Sequence, residues 1–115
     1  MIFRKKFFKM GICLFFALLS SNAIAGWTTA KIASIVVWEG GDLIYVFPEG
    51  GVKNTPACDA SGATYLSFSL KRPRAREYYA GLLAAYIAGK TVQFRGADAC
   101  TDQSTSETLQ YFQLD

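Results

Sequence analysis

The stretch that decides the fold is residues 73–100, PRAREYYAGLLAAYIAGKTVQFRGADAC. Apolar side chains recur at Ala75, Tyr78, Tyr79, Leu82, Leu83, Tyr86 and Ile87. That spacing gathers them on one side of a helix, and strict alternation fits it badly. Pro73 stands just ahead of the run, where a missing N–H is harmless because the first turn has no partner for it. Gly89 predicts the stop, in the left-handed conformation that glycine adopts most readily. Ala80, Gly81, Ala84 and Ala85 are small enough to let a neighbour lie close. Thr91 to Arg95 then alternates and turns Val92 and Phe94 inward, as in a half-buried strand. A polar stretch from Gly96 to Ser106 follows and carries Cys100.

Working outward, the rest reads as strand and loop. Residues 31–38 (KIASIVVW) are β-branched and aromatic, and the consecutive Ile35, Val36 and Val37 predict a strand covered on both faces or coiled. Gly40 and Gly41 predict a hairpin turn, since glycine accepts positive φ without penalty. Residues 43–47 (LIYVF) form the second strand, ended by Pro48. Residues 48–63 are rich in proline and glycine and read as a loop holding Cys58. Residues 64–70 (TYLSFSL) alternate, with Leu66, Phe68 and Leu70 on one face and Tyr65, Ser67 and Ser69 on the other. Residues 108–114 (TLQYFQL) form the last strand; the adjacent Tyr111 and Phe112 predict a bulge or burial on both faces. The order is β-β-β-α-β-β. It predicts a mainly β protein of OB-fold type: a five-stranded Greek-key barrel with its one helix between strands 3 and 4. A mixed α+β sheet of another topology is the alternative.

The first residues have a different character. Arg4, Lys5, Lys6 and Lys9 precede an apolar run from Ile12 to Leu19, and Ala23-Ile24-Ala25 places small residues where a signal peptidase reads. Residues 1–25 are therefore expected to be a secretory signal peptide cut after Ala25, leaving residues 26–115 as a single OB-fold-like domain. The rival reading, a membrane anchor, suffers from an apolar run too short for a bilayer core of about 30 Å. No stable membrane insertion is expected after cleavage. The full chain of 115 residues is formally +3, but the leader holds four of the twelve basic residues and none of the nine acidic ones. The mature chain has eight basic side chains against nine acidic ones, a net −1. Nucleic acid is accordingly not expected as a partner.

An exported domain this small is marginal unless stapled. Cys58 and Cys100 are the only cysteines left after cleavage, so they are expected to pair. The expected location is periplasmic or secreted.

The ordered combination of a signal segment, Cys58, the run LLAAYIAGKTVQF over residues 82–94, Cys100 and a last strand resembles the B subunits of AB5-type toxins, nearest to the subtilase cytotoxin and pertussis-like branch. The resemblance implies an OB-fold with the Cys58–Cys100 disulfide, a homo-oligomeric ring and binding of cell-surface glycans. It carries no sugar-contacting residue onto this chain.

The mature chain has no histidine, no nucleophile elbow and no phosphate-cradling glycine loop. No enzyme activity, cofactor or metal is expected. Asp98 and Asp102 lack the rest of a calcium-loop ligand set. Arg72, Arg74 and Arg76 are candidate anion contacts, because arginine grips carboxylate and phosphate bidentately; a solvated helix start is the plainer reading. Trp27, Trp38 and Tyr65 are candidates for stacking on sugars, or else core or subunit contacts. The sequence thus points to an exported binding module for a glycan or an envelope protein.

Overall fold

The computed structural model of the protein describes residues 26–115. The leader and its cut lie outside the described residues. Six strands and one α-helix form in the order β1 (Trp27–Ala30), β2 (Ile32–Trp38), β3 (Leu43–Pro48), β4 (Leu66–Ser69), α1 (Ala75–Ala88), β5 (Val92–Gly96) and β6 (Leu109–Leu114). They make two antiparallel three-stranded sheets, ordered β1-β5-β6 and β2-β3-β4. The fold is mainly β with a single α-helix among the described residues.

The helix spans the expected residues. Gly89 has φ 64°, and its N–H bonds to Tyr86 O at 3.2 Å while Lys90 N–H bonds to Ala85 O at 2.9 Å, the paired closure of a Schellman motif. Leu82 and Ala85 enter the core, and Gly81 receives the Phe112 ring, which would come within 2.8 Å of any side chain there. The apolar face is shorter than the spacing predicts: Tyr86 and Ile87, in the last turn, are exposed.

The inner faces of both sheets supply the core. Ile44, Val46, Leu66 and Phe68 come from one sheet, and Val92, Phe94 and Leu109 from the other. Val92 and Phe94 point inward as their alternation requires. The last strand carries the expected irregularity: the β5–β6 register shifts between Arg95 and Gly96.

Four details depart from the sequence reading. β1 is an additional strand, paired with β5 and separated from β2 only by Lys31. β2 is not covered on both faces: it pairs with β3 alone, and Val36, Val37 and Trp38 are exposed. In the β2–β3 turn, Asp42 and not a glycine takes the left-handed conformation, at φ 52°. Gly40 and Gly41 are needed for space, since a Cβ on either would lie within 2.8 Å of the Trp38 indole. Lastly, Ser67 is buried on the face read as open, where residues 97–107 fold over it.

Candidate functional site

The outer face of the β2-β3-β4 sheet carries a row of aromatic rings. Alternation puts Trp38, Tyr45, Phe47 and Tyr65 on the side away from the core. Trp38 and Tyr45 have ring centroids 6.3 Å apart, Tyr45 and Tyr65 4.5 Å, and Phe47 and Tyr65 5.1 Å. Trp38 is 49% exposed; the other three are half-buried. The row is therefore continuous and open to solvent along one side.

Gln103 fixes its centre. Its Nε2 donates to Tyr45 OH at 2.9 Å, and its Oε1 accepts from Tyr65 OH at 2.9 Å and from Ser106 Oγ at 2.6 Å. Ser106 Oγ in turn lies 2.6 Å from Ser67 Oγ beneath it. Two tyrosine rings are thus held at their hydroxyl ends by one amide.

Gln103 is positioned by the disulfide loop. Cys58 and Cys100 are bonded, with Cα atoms 6.1 Å apart. Around that bond, Ala60 N–H donates to Thr105 O at 2.8 Å and Glu107 N–H to Asp59 Oδ2 at 3.1 Å. Thr101 and Asp102 N–H groups both donate to Thr108 Oγ1, at 2.9 and 3.1 Å. Burial raises the Asp59 pKa, but hydrogen bonds from the Ser61 hydroxyl and from backbone N–H groups outweigh it, so its carboxyl sits below the ordinary value. The segment that the sequence presents as a polar loop is a closely bonded lid over β4.

The three arginines keep separate partners and do not form one anion site. The Arg72 guanidinium donates to Leu109 O at 2.5 Å and Gln110 O at 3.2 Å, lies over the Tyr78 ring at 4.8 Å, and stands 3.8 Å from Asp102. It braces β6 against the start of α1. Arg74 is exposed and pairs with Glu77 at 3.3 Å. Arg76 borders an apolar crevice of about 400 Å³ whose other walls are Val37, Ile44, Leu70, Ala75 and Tyr79. Trp27 belongs to the other sheet, edge-on to Tyr111 at 5.7 Å with Arg95 over its ring at 5.1 Å.

Sequence reasoning named Trp38 and Tyr65 as candidates and missed Tyr45, Phe47 and Gln103. Alternation along residues 43–47 already put Tyr45 and Phe47 on one face; Gln103 had no local signal, because its role depends on the fold of the loop around Cys100. None of the family models, curated proteins or solved structures compared with this chain matches it.

Proposed function

We propose that this chain is an exported, non-enzymatic binding module that engages glycans through the row Trp38, Tyr45, Phe47 and Tyr65. The observation that carries the reading is the continuity of those rings along the outer face of the β2-β3-β4 sheet, beside the 97–107 lid. A sugar ring has an apolar C–H face and a hydroxyl edge. Tyrosine and tryptophan match both, offering broad apolar area and a polar tip with few rotors to immobilise. The sequence offers no histidine as a general base, and Cys58 and Cys100 are bonded to each other, which favours binding over catalysis.

An OB-type barrel is the topology we favour. β1 and β2, one residue apart, act as a single bent strand shared by the two sheets, and a parallel bridge between Ser67 and Thr108 joins them on the opposite side. This arrangement and the helix position support a relationship with AB5-type toxin B subunits. The edge of β2, which pairs only with β3 among the described residues, is where such subunits would associate.

The test is a glycan array probed with wild type, Trp38→Ala and Tyr45→Phe. Binding by wild type that drops at least tenfold in Trp38→Ala supports the reading; wild type silent on every glycan sinks it. A second reading, an interaction module for an envelope protein, draws on the Arg76 crevice beside exposed Val37. A protein that co-purifies with wild type and is lost with Val37→Lys would favour it.

A further inference from the structure

Glu107 is a buried acid that the aromatic face does not use. It is 0% exposed and lies against the backbone of Gly96, where any side chain would run into its carboxylate. Its Oε2 accepts the Asp98 N–H at 2.9 Å. Its Oε1 is buried and has no hydrogen-bond partner among the described residues. An unpaired oxygen on a buried carboxylate is costly, and either a proton or a neighbouring cation relieves it. Burial raises the Glu107 pKa, with the Asp98 and Asp59 charges adding to it and the Asp98 N–H bond and Arg95 only partly offsetting it.

Gly26 is the neighbour that faces it. The residue is buried, and its carbonyl accepts the Gly96 N–H at 3.0 Å. Acceptors face its Cα on the side where a Cβ would stand: that Cβ would lie 3.2 Å from each of the Lys53 and Asn54 carbonyl oxygens and 3.6 Å from Glu107 Oε2. The Gly26 nitrogen is bonded to that same Cα. As an amide within a longer chain it offers one hydrogen. As a free α-ammonium it offers three and a full charge, which suits a cluster made of acceptors.

We propose that cleavage after Ala25 creates a buried ion pair, in which the new α-ammonium of Gly26 takes the carboxylate of Glu107, whose Oε2 already faces Gly26, and the carbonyls of Lys53 and Asn54 are its further acceptors. Water hydrolyses the Ala25–Gly26 amide; the carboxylate leaves with Ala25, and the released Gly26 amine takes up a proton. The processed chain then has a link among the start of β1, the 53–54 loop and Glu107, two residues before β6, that the uncut chain lacks. Export and tightening of the fold become one event. The proposal rests on the export reading for the position of the cut, and not on the glycan reading.

The full chain is expressed with export, and the purified product is weighed intact. It must begin at Gly26; a product beginning elsewhere overturns the proposal. Wild type and Glu107→Gln are then treated at pH 7 with an amine-acylating reagent, and the N-terminal peptide is followed by mass spectrometry. Only the neutral amine reacts. An ion pair that raises the α-amino pKa by about one unit from its usual range of about 7.7–8.0 slows acylation about tenfold. We expect that slowing in wild type and its loss in Glu107→Gln; equal rates overturn the proposal. A second measurement needs no mutant. The Glu107 carboxyl carbon is titrated by NMR in the free-amine protein and in the same protein acetylated at Gly26. A lower pKa with the free amine is expected, and superimposable curves overturn the proposal. A protein that passes these measurements and binds no glycan would sink the glycan reading alone.

Discussion

Gln103 shows how much one side chain organises. It joins Tyr45, Tyr65 and Ser106 through one amide. Gln103→Leu leaves three hydroxyls to find water in a half-buried site, and we expect a loss of about 1–3 kcal/mol in urea unfolding together with weaker glycan binding. An unchanged midpoint would show that the hydroxyls do not depend on it. Asp59 acts through protons. Its pKa is below the ordinary 3.8, so the unfolded chain binds its proton first as pH falls. The stability it contributes is present above the unfolded value and is lost as pH drops through the folded one. Denaturation measured from about pH 5 down to about pH 2 should therefore show wild type losing its advantage over Asp59→Asn in acid. Parallel curves would refute this. At this scale the sequence was legible where a residue answers to its own backbone, as Gly89 does. It was not legible at Gly40 and Gly41, whose role is to make room for the Trp38 ring. That is a contact, and periodicity carries no information about it.

At the scale of elements, the helix was read almost to its ends because its signals are local: Pro73, the apolar spacing and the glycine stop. β1 was missed because Trp27–Ala30 is only four residues long and takes its strand character from pairing with β5, far along the chain. The disulfide was legible by elimination, but its consequence was not. It fastens the lid over β4 that carries Gln103, so it couples stability to the shape of the aromatic row. Replacing Cys58 and Cys100 together by serine should cost about 2–4 kcal/mol. It should also weaken glycan binding under conditions where far-ultraviolet circular dichroism still reports a folded chain, because no residue of the 97–107 loop belongs to the hydrophobic core. Loss of binding only in step with global unfolding would contradict this.

For the whole molecule, the question is what happens at the edge of β2. β4 has a neighbour, since Ser67 bridges to Thr108, whereas β2 pairs only with β3 among the described residues. Along that strand Val36 is 40% exposed, Val37 52% and Trp38 49%. An open strand edge with large apolar side chains on both faces is a template for another chain. Natural proteins blunt such edges with lysine or proline, and residues 32–38 contain neither. The surface is therefore suited to a second copy, and it adjoins the aromatic row at Trp38, so association would set rows from different subunits side by side and raise avidity for a repeated ligand. We expect wild type to sediment above the mass of one chain at micromolar concentration, and Val37→Lys to sediment as a monomer. Because Val37 is exposed, that substitution should change unfolding stability by no more than about 0.5 kcal/mol. A wild type that stays monomeric at every concentration would leave the β2 edge without this role, and a Val37→Lys protein that still associates would move the interface elsewhere.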